Sequence, residues 1–466
     1  MPCHRHQSTT SFQPYTIDSQ TYAVDSYSNT PSNIISKLPR HLHLTPNHPL
    51  SIIRQSIEGH FGPTFTPVTP KSAVVSVAQN FDELGFPADH PGRSITDSYY
   101  LNSQYMLRTH TSAHEVETYR IGLDRWLLTA DVYRRDEIDG THYPVFHQME
   151  GTQVWPSSEL SKLPQLNDEL AAKLASCSLV IEDPTTISPS NPYQTSHDPV
   201  HAEQIAQHLK HSLNSLIFHL FGPIATAHGE PLRIRWIEAF FPFTTPSYEV
   251  EIWWNGEWLE LLGCGVVMQK TLDQAGQSHK SGWAFGLGLE RLAMVLFSIP
   301  DIRLFWSQDP RFLSQFSSGD VRTTFKPYSK YPVNLKDMSF WIAQGKGQSQ
   351  SQSQSQQSQS QSQLQSQSEA QTQTQRQAIE TPAETSKDIK EWHENDFCEI
   401  VRDVAGDLVE TVTMIDQFTH PKTGRQSKTY RINYRSMDRS LPNNEVNALQ
   451  EQISRRVVED MGVEMR

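Results

Sequence analysis

The sequence has few cysteines: Cys3, Cys177, Cys264 and Cys398 are the four among 466 residues, and no two form a CxxC pair. This spacing indicates neither a zinc site nor a disulfide framework, and it favours a reducing compartment. No run approaches the roughly 20 apolar residues of a membrane span, and the N-terminus lacks the apolar core of a secretory signal. We therefore expect a soluble, intracellular protein with no membrane association.

Basic residues are also few relative to acidic ones: 39 Lys and Arg stand against 52 Asp and Glu, so the formal net charge is −13. A bulk positive field that would attract nucleic acid is thereby excluded, so any contact with RNA must come from a local patch of cations. The chain is long enough for two or three domains with a sizeable core. Its hydrophobic content of 36% is low because one tract of Gln and Ser dilutes it.

The stretch 131–150 carries the most chemical information. Apolar pairs on both sides of a polar loop with an Asp-Gly turn predict a hairpin. Two arginines, Arg134 and Arg135, sit on the outgoing strand, and Gln148 and Glu150 alternate on the return strand and share one face. That face can hold a phosphate on a guanidinium, an amine on Glu150 and a flat ring against Phe146, as an aminoacyl adenylate requires. The alternative is an exposed hairpin whose charges only meet solvent.

The same stretch, Tyr-Arg-Arg-Asp followed by Thr-His-Tyr-Pro-Val-Phe-His-Gln-Met-Glu, resembles the second signature motif of class II aminoacyl-tRNA synthetases, in the form found in phenylalanyl-tRNA synthetases. Three further stretches are similar to that family. Residues 80–93, rich in Pro and Gly, resemble the first class II motif region. Residues 106–115 resemble a segment of the amino-acid pocket. The third stretch, 283–291, contains Gly-Leu-Gly-Leu-Glu-Arg after Trp-Ala-Phe and resembles the third motif.

Residues 233–268 predict antiparallel strands, because an Asn-Gly pair between two hydrophobic runs is a strong hairpin signal. Within them Phe241 and Phe243 resemble the aromatic pair with which the family sandwiches the phenyl ring of its substrate. An aromatic pair in a strand is otherwise ordinary core. By the same resemblance Glu260, entering a predicted Gly-Cys-Gly turn, corresponds to a carboxylate that helps to hold Mg²⁺ and ATP.

The resemblance implies ATP-dependent activation of phenylalanine and its transfer to tRNA(Phe), in mitochondrial translation. Arg134 is implied to contact the α-phosphate, Arg291 the γ-phosphate, and Glu260 to bind Mg²⁺. The implied ATP-binding residues are Arg134, Phe146, Glu260, Gly286, Gly288 and Arg291. The implied phenylalanine-binding residues are His110, Ser112, Ala113, His114, Glu115, Thr141, His142, Tyr143, Gln148, Met149, Glu150, Phe241, Phe243, Ala284 and Phe285.

The predicted fold class is α+β, with an antiparallel class II sheet flanked by helices and a C-terminal ferredoxin-like domain that resembles an anticodon-binding domain. Residues 1–48 are rich in hydroxyls and poor in acids, which fits a transit peptide or a simple disordered tail. Residues 49–318 form the predicted catalytic domain, and residues 319–466 the second domain, interrupted by a Gln/Ser tract over 345–386 that we expect to be disordered.

Further elements are predicted from periodicity. Helices are expected at 49–61, 201–221, 395–408 and 445–461, the third capped by Asn395, and strands at 338–342, 411–418 and 428–436. The stretch 157–199 reads as a surface excursion.

A local cluster of cations in the second domain is a candidate tRNA-binding patch on an otherwise acidic protein. Its members are Lys422, Arg425, Lys428, Arg431 and Arg435. The alternative is a charged hairpin that only contacts solvent.

The resemblance further implies a monomer located in the mitochondrial matrix. Two other functions are open: a synthetase-like protein that binds RNA or a partner without activating an amino acid, and a ligase for a different acid. Intact Arg134, Glu150 and Arg291 count against the first, and the anticodon-like domain counts against the second.

Overall fold

The structure, a computed structural model, describes residues 14–227, 229–327, 331–342 and 392–466. The strands are β1 (Tyr15–Ile17), β2 (Gln20–Tyr22), β3 (Thr66–Val68), β4 (Val74–Ser76), β5 (Tyr105–Leu107), β6 (Arg125–Tyr133), β7 (Val145–Pro156), β8 (Leu179–Glu182), β9 (Leu232–Phe241), β10 (Thr244–Trp254), β11 (Glu257–Val267), β12 (Lys280–Gly288), β13 (Asn334–Trp341), β14 (Val409–Thr419), β15 (Gln426–Tyr434) and β16 (Glu464–Met465). The α-helices are α1 (Ser32–Ile35), α2 (Pro49–Phe61), α3 (Glu115–Arg120), α4 (Leu163–Leu174), α5 (Pro199–Ala227), α6 (Gln269–Gln274), α7 (Leu289–Phe297), α8 (Pro310–Leu313), α9 (Glu394–Ala405) and α10 (Asn443–Met461).

An eight-stranded sheet forms the centre of the larger domain, in the order β3-β6-β7-β12-β11-β10-β9-β8. Neighbouring strands are antiparallel except at the two edges, where β3 pairs with β6 and β8 with β9 in parallel. The hairpin predicted in 131–150 is present as β6 and β7, with Tyr133 opposite Val145. Its loop does not use a positive φ at Gly140. The Asp139 carboxylate instead accepts hydrogen bonds from the backbone N–H of Thr141 at 2.6 Å.

The turn between β10 and β11 follows the prediction, with φ of 50° at Asn255 and 92° at Gly256, as a two-residue hairpin turn needs. The predicted Gly-Cys-Gly turn is wrong, because these residues lie inside β11. Small residues are needed there for close packing: a Cβ at Gly263 would lie 2.6 Å from the Phe241 ring. A Cβ at Gly265 would lie 2.5 Å from the Pro246 carbonyl oxygen.

The main hydrophobic core lies on the face of the sheet covered by α2, α5 and α7. The predicted helical stripe of Ile205, Leu209 and Leu213 on α5 is buried there. Alternation along β7 and β12 sends Met149 and Phe285 into this core. The neighbours of these two residues in sequence therefore face the opposite side of the sheet, where a second cluster of apolar residues and a large cavity lie.

Residues 14–48 are folded onto the larger domain, and for them the predicted tail is wrong. Ile34 is 0% exposed and Leu42 is 3% exposed, and both belong to the main core. Their apolar residues are too thinly spread to predict a contribution to a core from the sequence. The larger domain therefore begins well before residue 49, and the rest of the predicted transit segment, 1–13, lies outside the described residues.

The stretch 157–199 is more than the predicted surface excursion, because it contains α4 and the edge strand β8. Leu163 is buried at the start of α4, and the Asn167 side chain donates a hydrogen bond to the Gln204 carbonyl of α5 at 3.0 Å. Pro164 lies in the first turn of α4, where a missing N–H costs nothing. The helix was missed because its apolar face is short.

The C-terminal domain has its own sheet, in the order β14-β15-β13-β16, with α9 and α10 packed on it. The predicted strand, helix, strand, strand, helix order is confirmed. Two details differ: His393, not Asn395, caps α9 by accepting from the Asn395 N–H, and β16 pairs with β13. The Gln/Ser tract lies outside the described residues.

The C-terminal domain packs against the loop that joins β6 and β7. Arg402 of α9 donates to the Asp136 carbonyl at 2.7 Å, and the Val412 N–H donates to the Ile138 carbonyl at 3.0 Å. Arg135 lies 3.0 Å from the Asp396 carboxylate. The loop that borders the cavity is therefore also fixed by hydrogen bonds and an ion pair to the C-terminal domain.

Among the cysteines that the structure describes, Cys177, Cys264 and Cys398 are free thiols. In the described ranges, no helix has both the length and the apolar character needed to cross a membrane.

Candidate active site

A cavity of about 980 Å³ opens on the face of the sheet that carries Gln148 and Glu150. Its walls come from β7 and β10 to β12, from the loop after β6, and from the start of α7. Residues 110–112, which follow β5, close one end of it. The volume is at the upper end of the range for small-molecule sites, so two substrates can occupy it together.

The polar end of the cavity is built by β7 and residues 110–112. Gln148 and Glu150 both face it because they are two residues apart on a strand. The Gln148 side chain accepts a hydrogen bond from the Thr111 N–H at 3.2 Å. His110 and Ser112 line the same end, as predicted from their alternation.

Glu150 is 3% exposed, and its Oε2 atom has no hydrogen-bond partner in the described residues. Burial raises its pKa to about 7, against the hydrogen bonds from Ser112 and Thr111 that favour the charged form. A carboxylate so placed is well suited to an ammonium group, which would stabilise its charge. Neighbouring His110 stays neutral, because burial and the Arg134 charge lower its pKa to about 3.

The apolar wall contains the aromatic pair predicted on β9 and just after it. The rings of Phe241 and Phe243 are 5.9 Å apart and nearly parallel, at 22°. Phe86 lies 6.0 Å from Phe243 and extends the wall. Ala284 of β12 lines the same cavity and is 5% exposed. This slot between aromatic faces matches a flat apolar ring.

Two arginines also line the cavity. Arg134 donates through Nε to the Thr109 carbonyl at 2.9 Å, and its guanidinium lies 5.3 Å from the centre of the Phe146 ring. Arg291 lies in the first turn of α7, 3.3 Å from the Glu260 carboxylate, and both side chains are about half exposed. These cations can neutralise a polyphosphate.

Gly286 and Gly288 border the cavity beside α7. A Cβ added at either position would meet no atom within 4 Å, so the space beside the backbone is open. The Glu290 carboxylate joins α7 to β7 by accepting from the His147 backbone N–H at 2.8 Å and by pairing with His147 Nδ1 at 2.6 Å. The helix that carries Arg291 and the strand that carries Glu150 are therefore joined to each other.

Two carboxylates on adjacent strands, Glu249 and Glu260, line the cavity and fit a divalent cation. Burial first, and then the charge of Glu260, raise the pKa of Glu249. A cation between them would relieve that repulsion, and Mg²⁺ is bound by carboxylate oxygens together with phosphates in this way. Glu249 was not predicted from the sequence.

Several predicted binding residues do not border the cavity. Ala113, His114 and Glu115 lie behind it, and His114 contacts Arg108 at 3.0 Å and Glu117 at 2.6 Å. Met149 is in the main core on the other face of the sheet. Phe285 borders the cavity, but its ring is in that core, stacked on Phe61 at 5.7 Å. The prediction of a direct contact with substrate is therefore wrong for four side chains, those of Ala113, His114, Glu115 and Met149.

Thr141, His142 and Tyr143 line the cavity, and their contact with phenylalanine stays a prediction. The side chains of Thr141 and His142 are bonded to Asp139, at 2.9 Å and 2.7 Å. The Tyr143 hydroxyl donates to Asp407 of the C-terminal domain at 2.6 Å. These contacts give the loop a fixed shape.

The aromatic rim was only partly visible in the sequence. Phe86, Pro87 and His90, from the stretch rich in Pro and Gly, border the cavity, and Phe240 lies at its mouth with 80% of its surface exposed. Trp258 of β11 also borders it. The clustering of aromatic and His residues in 80–93 was the signal that could have identified the first group.

The predicted positive patch of the C-terminal domain is largely neutralised by carboxylates that are distant in sequence. Arg425 pairs with Glu464 at 2.7 Å, and Arg431 with Asp337 at 2.8 Å. Arg435 pairs with Glu410 at 2.5 Å. These ion pairs reduce the net positive charge of the patch, and its contact with tRNA stays a prediction. Lys422 is exposed, and Lys428 lies 5.6 Å from the Trp392 ring.

Two family models match this chain. The model for tRNA synthetases class II core domain (F) matches residues 33–188 and 194–316, and the model for the ferredoxin-fold anticodon binding domain matches residues 389–466. The mitochondrial phenylalanine–tRNA ligase of Saccharomyces cerevisiae is 42% identical over 97% of this chain and 93% of its own length.

The mitochondrial phenylalanine–tRNA ligase of Mus musculus is 40% identical, over 96% of this chain and 88% of its own length. Among solved structures, pyrrolysyl-tRNA synthetase from Desulfitobacterium hafniense aligns with 59% of this chain and 80% of its own, at 14% identity and a TM-score of 0.34. That likeness is too low to support a conclusion.

Proposed function

We propose a set of residue roles for this chain, which belongs to the phenylalanine–tRNA ligases of the class II aminoacyl-tRNA synthetases. The enzyme activates phenylalanine with ATP and transfers it to tRNA. In the first step the phenylalanine carboxylate attacks the α-phosphorus of ATP, which gives phenylalanyl adenylate and pyrophosphate. In the second, a ribose hydroxyl of the terminal nucleotide of tRNA attacks the carbonyl carbon of the adenylate, takes the acyl group and releases AMP. Catalysis by positioning and charge neutralisation needs no side-chain nucleophile.

The observation that carries the assignment of phenylalanine is the pairing of a buried carboxylate with an aromatic slot in one cavity. Glu150, 3% exposed, accepts the substrate's ammonium group, together with Gln148, Ser112 and neutral His110. The side chain of the substrate then enters the slot beside Phe241. An amino acid without a ring would leave that slot unfilled.

ATP occupies the part of the cavity that is lined by Arg134 and Arg291. Arg134 binds the α-phosphate, where its charge opposes the negative charge that develops in the transition state. Adenine stacks on Phe146, the backbone at Gly286 and Gly288 allows close approach, and Arg291 binds the γ-phosphate. The pair between Arg291 and Glu260 is exposed and at 3.3 Å, so it can exchange for a phosphate contact at little cost.

Glu260, with Glu249, would hold Mg²⁺, which when bound neutralises phosphate charge. The fit of these residues rests on their adjacency on β10 and β11 within the cavity wall. In the second domain Lys422, Arg425, Lys428, Arg431 and Arg435 are the candidates for contact with tRNA. The ion pairs of Arg425 and Arg431 are exposed, so they can exchange for phosphate contacts at little cost. We further propose that the protein acts in the mitochondrial matrix, on the basis of the mitochondrial relatives, and that it is a monomer. A synthetase-like protein without aminoacylation activity is not favoured, because the residues that the chemistry needs line one cavity.

Pyrophosphate exchange that depends on phenylalanine tests these roles. Arg134→Ala should abolish exchange and leave the melting temperature unchanged, because the guanidinium contacts one carbonyl and a ring rather than the core. Arg120→Ala, at an exposed position on α3, is the matched control and should be fully active. Near-normal exchange by Arg134→Ala would refute the phosphate assignment.

A further inference from the structure

Glu115 is a buried carboxyl group that the reaction does not touch. It begins α3, is 0% exposed, and lies behind the cavity wall rather than in it. Its Oε2 atom has no hydrogen-bond partner among the described residues. The titratable groups that act on it are Glu150 from β7 and Tyr119 from its own helix. An ionised Glu115 would therefore place a second negative charge, without a cation, beside Glu150.

A chain of hydroxyl groups indicates which oxygen carries a proton. The Thr152 Oγ1 atom is 2.7 Å from the carbonyl oxygen of Trp283, and a carbonyl can only accept, so Thr152 donates its one proton there. The Tyr119 hydroxyl is 2.7 Å from Thr152 Oγ1, so Tyr119 must donate to Thr152. The hydroxyl oxygen of Tyr119 then has only lone pairs left for its other neighbour.

That other neighbour is Oε1 of Glu115, 3.1 Å from the Tyr119 hydroxyl oxygen. With the proton of Tyr119 already committed to Thr152, a favourable contact requires that Glu115 supplies the hydrogen. A carboxylate at this distance would place two sets of lone pairs against each other. The hydrogen-bond directions thus require a protonated Glu115 that donates to Tyr119.

We propose that Glu115 is a neutral carboxylic acid at working pH, a positioning residue whose proton starts a directed chain through Tyr119 and Thr152 to Trp283. The amino-acid pocket then presents a single negative charge, that of Glu150, to the substrate. This inference rests on the proposed function, since it explains how the ammonium site and the ring pocket keep a fixed position relative to each other. Trp283 immediately precedes Ala284, so the chain joins the support of Glu150 to the floor of the ring pocket.

The electrostatics agree with the geometry. Burial, and then the charge of Glu150, raise the pKa of Glu115 well above its usual range. Two carboxyl groups that share a buried site cannot both ionise at moderate cost, so one of them retains its proton. Glu150 borders the cavity and can gain a cationic ligand, but Glu115 cannot, and this asymmetry decides which of them is ionised.

Two variants of equal length separate the neutral acid from a charged one. Glu115→Gln keeps a neutral donor, so the KM for phenylalanine in pyrophosphate exchange should stay within about threefold of the value for the unmutated protein. When this KM is measured from about pH 6 to pH 9, the acid limb of its pH profile should lie at the same pH in both proteins. Glu115→Met has no donor, so that KM should rise roughly tenfold while the KM for ATP is unchanged. A Glu115→Gln variant whose acid limb moves by about one pH unit, or whose KM for phenylalanine falls roughly tenfold, would show that Glu115 was charged and would overturn the proposal.

Infrared spectroscopy tests the proton directly and does not need activity. The unmutated protein should show the carbonyl band of a protonated carboxyl group at about pH 8, and Glu115→Gln should lack that band. An unchanged spectrum in Glu115→Gln would overturn the proposal. If the unmutated protein exchanges pyrophosphate without phenylalanine dependence, the proposed function fails, while the infrared comparison still decides the state of Glu115. Tyr119→Phe, which breaks the chain, should raise the KM for phenylalanine as Glu115→Met does, and an unaltered KM would count against the chain.

Discussion

Ala284 is the residue at which a single methyl group should set the selectivity of the enzyme. It is 5% exposed and lies on β12, opposite Thr152 of β7 and Gly265 of β11. It shares the cavity with Phe241 and Phe243, whose rings form the slot for the substrate. Ala284→Gly should therefore open space of about one methyl group at the wall of the ring pocket.

The size of the effect follows from what a methyl group can discriminate. An apolar pocket distinguishes such a difference by roughly 1–3 kcal/mol, which corresponds to about 5- to 150-fold in kcat/KM. Phenylalanine loses no hydrogen bond in the variant, so its activation should be largely kept. Glycine inside a strand costs about 0.5–1 kcal/mol of stability, which the fold should tolerate. Specificity should therefore relax and not invert.

The assay is pyrophosphate exchange with phenylalanine and with para-halogenated and para-hydroxylated phenylalanines. Ala130→Gly is the matched control, since Ala130 is a buried strand alanine, 1% exposed, that does not border the cavity. It introduces the same backbone freedom without widening the pocket. If Ala284→Gly activates para-substituted analogues no better than the unmutated protein or Ala130→Gly does, the ring lies elsewhere and the assignment of the slot is refuted.

The value of kcat/KM for phenylalanine should fall as the pH drops through about 7, because Glu150 must lose its proton to bind an ammonium and its raised pKa is about 7; a flat pH profile of exchange would contradict this role. Glu249→Gln should raise the Mg²⁺ concentration needed for half-maximal exchange by several-fold and leave the KM for phenylalanine unchanged, and an unaltered Mg²⁺ titration would exclude Glu249 as a ligand. Deletion of 348–377 should leave exchange and melting temperature nearly unchanged, because that stretch is almost all Gln and Ser and has little with which to form a core; a marked loss of either would contradict it.

The elements predicted most accurately are those whose signals act over a few residues of chain. The bounds of α2, the hairpin at 131–150 and the positive φ values at 255 and 256 follow from periodicity and turn chemistry. The shared face of Gln148 and Glu150 also follows, because alternation along a strand is a property of the backbone alone. The order of elements in the C-terminal domain was predicted on the same grounds.

Which residues border the site, and which are buried, depended on tertiary packing. Motif resemblance included His114 and Glu115 among the binding residues, but only the path of the chain after β5 decides that they lie behind the wall. Residues 14–48 have too few apolar side chains to indicate a core, yet Ile34 is fully buried, because burial depends on what covers a residue.

The charge of the C-terminal hairpin is the clearest example of a property that the sequence alone did not determine. Arg431 is one of a run of cations in the sequence, but its partner Asp337 is 94 residues away and on a different strand. Electrostatic interaction depends on distance through space, whereas a sequence records only distance along the chain. The local pattern therefore determined which residue types were present on the strand, and the pairing of β13 with β15 decided whether their charge was free.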